Sequence, residues 1–441
     1  MESPTLDLAA FARVLPASLI VKAIEEAGAV EERRRKLPSE LVLWLLIGMG
    51  LFRDLSIPNV LQRVVSSVKG LVAWGPAEVP CSTALAHARD RLGFDAVREI
   101  FRRLADVLLG RYAESTTWRG LGVYVLDGVC FMVPDSKEND AAFGRAGVTR
   151  GGARSGFPQL RGVLLVAAWS HLVVRAVFGA YRVGEITLAH QLAPQLPAGA
   201  LLLLDRAYYA YGWLHGLLSR DVNFVVRAKT NGKCMVPRVR KRLAPNDGLG
   251  FLRVPRSAKE KDRSLPDKIE VRVVTYKKKG WPQIKLVTNL LDPERYPAGE
   301  IAALYHDRWE AELSYREIKT HLVGTQVAFR SKTPKRVLQE AYGLLLAYDC
   351  VRALMADAAI DAGVQPRELS FVASLERIRV ALPLLAAVAN REQLLRALLD
   401  DLARCRLPRR RAGRSCPRAV KIKMSNFPRK RPGVQTVASS R

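Results

Sequence analysis

Two aspartates and one helical segment hold the residues whose types and spacing could do chemistry. Asp127 closes an apolar run, Val123-Tyr124-Val125-Leu126, and Asp205 closes another, Leu201 to Leu204. Further along, Tyr305, Arg308, Glu312 and Lys319 follow one another at spacings of three, four and seven. At 3.6 residues per turn these four side chains fall on one face of a helix. A carboxylate flanked by two cations and a phenol is not a core stripe; it suits a surface that holds a metal and a phosphate together. Cleavage of a phosphodiester by two divalent metals needs carboxylates around a site about 4 Å across. Asp127, Asp205 and Glu312 could supply them. Mg²⁺, hard and satisfied by a few carboxylates plus water and phosphate, suits such a set, and Mn²⁺ can substitute.

Each residue taken singly also has an ordinary reading. An aspartate after an apolar run commonly caps a turn, and a glutamate spaced with Arg and Lys on a helix commonly forms a solvated ion-pair face. The six histidines (His87, His171, His190, His215, His306 and His321) offer no close pair at zinc-like spacing. The six cysteines (Cys81, Cys130, Cys234, Cys350, Cys405 and Cys416) form no Cys-x-x-Cys pair, which fits a reducing compartment, with the cytoplasm as the default.

The elements that must position these groups follow from patterning. Residues 1–115 read as helical, with a buried helix over Leu41 to Leu51 after Pro38-Ser39-Glu40. Another helix runs from Ser82-Thr83 to a stop at Gly93, carrying Arg89 and Arg91 as a DNA-reading or simply solvated face. From Gly122 the chain turns to strands over Val123 to Val133, Gly162 to Ala168 and Leu172 to Tyr181. A helix over Glu185 to Leu196, the strand Leu201 to Leu204, a helix over Tyr209 to Leu218 and the strand Asn223 to Ala228 come next. The result is an α/β core with antiparallel strands at one edge. Residues 230–295 read as a β-rich insertion, with strands over Ile269 to Tyr276 and Gln283 to Asn289 and a basic loop from Arg238 to Lys261. A helix over Ala298 to Leu322 resumes the core, two more cover Lys335 to Gly363 and Leu369 to Cys405, and a basic, proline-punctuated tail ends the chain. Four segments follow: a helical DNA-binding domain (1–115), a catalytic domain (116–330), C-terminal helices (331–405) and a flexible tail (406–441).

Charge sets the class of partner. Seventy Lys and Arg against 42 Asp and Glu in 441 residues leave a net charge of +28, which favours a polyanion. The most apolar run, Leu41 to Phe52, falls short of the roughly 20 residues that span a bilayer. The N-terminus lacks the basic region of a signal peptide. Nucleic acid is the partner these features favour.

The segment from Tyr305 to Lys319 resembles the Tyr-Arg-Glu-Lys signature of DDE transposases of the insertion element 4 family, with all four residues at the family's spacing. Tyr124-Val-Leu-Asp127-Gly and Leu203-Leu-Asp205-Arg-Ala-Tyr208 resemble its first and second acidic motifs. Gly156-Phe-Pro-Gln-Leu-Arg161, the helix from Ala84 to Gly93 and the tail around Pro417 to Lys421 are similar too. The resemblance implies a ribonuclease H-like core with a β-rich insertion between the second Asp and the Glu. It implies a metal triad of Asp127, Asp205 and Glu312, with Tyr305, Arg308 and Lys319 on DNA near the transferred phosphate. It also implies cut-and-paste transposition by a homodimer on paired double-stranded DNA ends. Some relatives hold a flipped base on an aromatic in the insertion, a role for which Trp281 is the only tryptophan on offer. A nuclease that cuts without joining, and a remnant that only binds DNA, are the competing readings.

Overall fold

In the computed structural model, the described residues are 11, 13–30, 36–66, 79–113, 117–146, 156–229, 235–277, 283–324 and 328–408. The side chains of residues 309–312 and 386 are outside this description, as are Trp281 and the tail beyond 408.

Four helices open the chain: α1 (Ala17–Glu26), α2 (Ser39–Leu51), α3 (Ile57–Val65) and α4 (Ser82–Arg111). Helix α2 is apolar all round and accordingly buried all round, from Leu41 to Leu51. Ser56 caps α3 by accepting from the Asn59 N–H. Gly93 breaks the helical path at φ 72°, yet helix resumes beyond it and continues to Arg111. The glycine is therefore a kink and not the stop expected from sequence. Arg89 also departs from expectation. It is buried, giving hydrogen bonds to Ser331 Oγ (2.9 Å) and the Arg336 carbonyl (2.8 Å), so it locks α4 to the C-terminal half and is not a DNA-reading face.

The sheet begins with β1 (Thr117–Trp118) and the long β2 (Leu121–Met132), then α5 (Lys137–Phe143), β3 (Gln159–Ala167) and β4 (Val173–Ala180). Helix α6 (Glu185–Leu192) leads to β5 (Ala200–Leu204), and α7 (Tyr211–Leu218) to β6 (Asn223–Arg227). Strands β2, β3 and β4 form an antiparallel meander, while β5 and β6 run parallel to β2. Strand β5, Ala-Leu-Leu-Leu-Leu, is buried on both faces, as a central parallel strand should be.

The Arg238 to Lys261 stretch is not a loop. It forms β7 (Arg238–Ala244), β8 (Asp247–Arg253) and α8 (Arg256–Lys261), followed by β9 (Lys268–Tyr276) and β10 (Ile284–Thr288). These strands do not stand apart from the core. β10 pairs with β6, so one ten-stranded sheet runs β4-β3-β2-β5-β6-β10-β9-β8-β7, with β1 beside β2. β7 carries no buried alternation to read: Arg238, Val239, Arg240, Lys241 and Arg242 are all exposed on the sheet's edge.

Helix α9 (Ala298–Arg316) lies on one face of this sheet, where Ile301, Leu304 and Tyr305 pack on Val123, Val125, Leu201 and Leu203. After Arg316 the helix widens into a π-helical turn, Glu317–Leu322. Helix α10 (Pro334–Asp361) is buried against α2 and α4. The predicted Leu369 to Cys405 helix is two, α11 (Phe371–Ala387) and α12 (Arg391–Arg404), with Asn390 capping the second through the Gln393 N–H. The N-terminal helices are joined to the C-terminal half through Glu340, which is buried and takes Arg53 at 2.6 Å and the Ser331 hydroxyl at 2.7 Å. Arg330 adds a hydrogen bond to the Leu55 carbonyl at 2.8 Å. The core is α/β, of ribonuclease H-like type.

Candidate active site

Asp127 does not end its strand; it lies inside β2, and it is β5 that stops there. The parallel register runs from Gly122 opposite Ala200 to Leu126 opposite Leu204, so Asp127 and Asp205 follow side by side as β5 gives out. Asp205 caps a short 3₁₀ turn (Arg206–Tyr208), its Oδ1 accepting from the Ala207 N–H at 2.6 Å. Asp127 Oδ1 accepts from the Gly128 N–H at 2.8 Å. Burial pushes the Asp127 carboxyl up to about 6, and the neighbouring negative charges of Asp205 and Glu185 add to that. The Gly128 N–H and the Lys319 ammonium pull the other way but do not win.

Two tyrosines fix α9 over this pair. The buried Tyr305 donates to the Leu204 carbonyl at 3.0 Å, immediately before Asp205. Tyr315, ten residues on, donates to the Asp127 carbonyl at 3.1 Å and to the Leu164 carbonyl at 2.7 Å. The backbone of Glu312 falls between these anchors, seven residues after one and three before the other; its side chain is outside the described set. Arg308 lies over the Tyr305 ring with its guanidinium carbon 5.8 Å from the centroid. Lys319 is exposed, 5.9 Å from the Tyr315 ring centroid.

Lys319 belongs to the π-helical turn, so straight-helix phase does not fix its direction. The residue that anchors the turn is Glu317. Its carboxylate takes Arg352 Nη2 at 2.5 and 2.6 Å and the Tyr348 hydroxyl at 2.8 Å, with His171 beside them. Burial alone would raise the Glu317 carboxyl, but Arg352 and His171 outweigh it and hold the group down at about 2. Other acids near the site in sequence have partners elsewhere. Asp135 is paired with Arg145, and Asp307 with Arg367 at 3.8 Å.

Of the six sequence-derived positions, Asp127, Asp205, Tyr305 and Lys319 come together, Arg308 joins them through Tyr305, and Glu312 lies on the helix that spans them. Tyr315 and Glu185 were not legible, and Gly128 and Tyr208 appear in the sequence only as parts of the two acidic motifs. Tyr315 acts through carbonyls on β2 and β3 that no local pattern marks, and the glycine directly after Asp127 is the one local hint of a close approach.

Hard carboxylate oxygens on neighbouring strands are the donors a divalent cation takes, and Asp127 beside Asp205 offers them. Among the described residues, no three His, Cys, Asp or Glu side chains converge on one ion, and Glu312 is not among those described.

Residues 5–102 match the insertion element 4 transposase N-terminal family, and residues 118–350 match the transposase DDE domain. The chain is 34% identical over 429 residues to the transposase InsG for insertion sequence element IS4 of Escherichia coli (strain K12), spanning 96% of this chain and 94% of that one. This chain belongs to the insertion element 4 family of DDE transposases. A cryo-EM structure of the piggyBac transposase synaptic complex with hairpin DNA superposes with a TM-score of 0.41 at 11% identity, covering 92% of this chain and 86% of that chain. Membership of this family implies dependence on a divalent metal and binding to DNA. No helix among the described residues is long and apolar enough to cross a membrane.

Proposed function

We propose that this transposase works by cut and paste at Asp127, Asp205 and Glu312. The observation that carries the reading is the register that sets Asp127 beside Asp205, under a helix pinned on either side of Glu312 by Tyr305 and Tyr315. In this reading the three carboxylates hold Mg²⁺, for which Mn²⁺ can substitute. A metal held there would supply the charge that activates the attacking oxygen and stabilises the leaving one. Water attacks the phosphodiester at the element's end, breaking the bond to the 3′ oxygen, which leaves as a 3′-hydroxyl. That hydroxyl then attacks a target phosphodiester and displaces a 3′ oxygen there, so one bond forms for each that breaks.

Arg308 is suited to grip the phosphate bidentately, and Lys319 acts on it as a point charge. The Tyr305 hydroxyl is already engaged with Leu204, so Tyr305 serves DNA contact by backing the Arg308 guanidinium and holding the end of β5. The chain divides in this reading into a helical DNA-binding domain over 1–115, a catalytic unit over 116–330 that includes the strands of 230–295, C-terminal helices over 331–405 and the tail beyond; the matches over 5–102 and 118–350 support a change of unit near residue 115. Concerted cutting of two ends calls for a homodimer on paired double-stranded DNA, in the cytoplasm where that DNA lies.

The test is Mg²⁺-dependent cleavage and joining of DNA bearing the element's own ends, comparing the wild type with Glu312→Gln. Cutting and joining by the wild type alone, with DNA binding kept by both, supports the reading. Equal cutting by both removes Glu312 from the site. Cutting without joining favours a nuclease, and binding without cutting a DNA-binding remnant.

A further inference from the structure

Glu185, the first residue of α6, lies with its carboxylate against Gly128, the residue after Asp127. A methyl group built on Gly128 would lie 2.4 Å from the Glu185 carboxyl carbon, with the two oxygens at 2.5 and 2.8 Å. Position 128 therefore lacks a side chain because a carboxylate occupies the space, and that carboxylate rests on the residue next to Asp127.

A second observation is independent of this contact. Tyr208 is fully buried, and its hydroxyl has no hydrogen-bond partner among the described residues. Burial pushes the ionisation of that phenol well above the ordinary value, and the negative charges of Asp127, Glu185 and Asp205 add to the shift. A buried donor left without an acceptor is costly, and the acids that bear on it add like charge to the same region. A hydrated cation with its phosphate partner would neutralise the acids and bring an oxygen for the phenol to donate to.

We propose that Glu185 is a fourth acidic residue of the divalent-cation site at Asp127 and Asp205, seated in the room that Gly128 leaves on β2. The proposal rests on the metal-dependent reading above. It does not require the carboxylates to converge on one point, because Mg²⁺ keeps several of its waters and a carboxylate can hold the ion through one of them.

The experiment uses the full chain without DNA and Mn²⁺ as a spectroscopically visible probe, titrated by electron paramagnetic resonance. Glu185→Gln is expected to weaken Mn²⁺ binding about tenfold or more, the usual effect of removing such a partner. Gly128→Ala is expected to do the same by displacing the carboxylate, and to have no further effect in a Glu185→Ala background. Thermal melting in a chelator serves as the control for folding. Loss of thermal stability without loss of Mn²⁺ affinity would mean that Glu185 is only structural, and the inference fails. Asp127→Asn separates the two ideas. If it weakens binding while Glu185→Gln and Gly128→Ala do not, Glu185 lies outside the site. If Asp127→Asn also has no effect, the metal reading itself is wrong.

Discussion

Replacing Asp127 by Asn should stabilise the metal-free protein, and by an amount that depends on pH. The substitution keeps the shape of the side chain and an oxygen to accept from the Gly128 N–H, but removes the charge that burial penalises. The folded-state value of about 6 lies above the ordinary value of 3.8. The sign follows directly: the penalty is absent below pH 4, grows as the pH rises through 6, and is complete above it. At pH 7.5 the difference amounts to about 3 kcal/mol, and at pH 4.5 to about 1 kcal/mol. An unfolding entropy of about 2.1 cal/mol/K per residue converts the larger figure to a rise of about 3 °C in Tm for a chain of this length. Differential scanning calorimetry in a chelator at both pH values reads it. Adding Mg²⁺ should then raise the melting temperature of the wild type more than that of the variant, because the cation binds where the charge was costly. No gain at pH 7.5, or equal gains at both pH values, would refute the account of Asp127 as a buried acid awaiting a cation.

Other predictions concern the frame around the site. Arg272 is fully buried, holding Asp247 at 2.6 and 2.8 Å and the Tyr296 carbonyl at 2.7 Å, just ahead of α9. Arg272→Met should cost about 3–5 kcal/mol in urea unfolding, because Asp247 is left buried and unpaired; a loss under about 1 kcal/mol would show that β9 does not fix the approach to α9. The Glu317 carboxyl is held down at about 2, so its pairing with Arg352 contributes fully above pH 4.5 and is lost as the pH falls towards 2. Arg352→Gln should flatten that acid limb in melts recorded from pH 5 to pH 2, and an unchanged limb would remove Glu317 from the account. A methyl on Gly343 would lie 2.9 Å from both Leu46 Cβ and the Leu46 carbonyl oxygen. Gly343→Ala should therefore part α10 from α2 at a cost of about 1–3 kcal/mol in thermal melting.

The sequence carried the strands and the site to different depths. Runs such as Leu201 to Leu204 declare themselves because a central strand is apolar on both faces, and the spacing from Tyr305 to Lys319 is a one-dimensional pattern. Strand β7 was hidden because it is exposed on both faces and mostly basic, and charge without alternation reads as loop. Arg89 was misread for the converse reason: nothing local marks an arginine whose partners are Ser331 and the Arg336 carbonyl, more than 240 residues away. Tyr315 sits inside the most legible segment and was still missed, because its acceptors lie on β2 and β3. Long-range register decided each of these.

The basic edge of the great sheet has a colloidal consequence. Among the described residues β7 is paired on one side only, so its other row of amides and carbonyls is a template for a strand from another copy. Arg238, Arg240, Lys241 and Arg242 make that edge repel its own kind. The repulsion reaches about 8 Å at physiological ionic strength but only about 3 Å in molar salt. The concentrated salt used to strip nucleic acid from a basic protein thus also removes the guard on this edge. Edge-to-edge self-association should be greatest in the buffers chosen to keep the protein free of DNA.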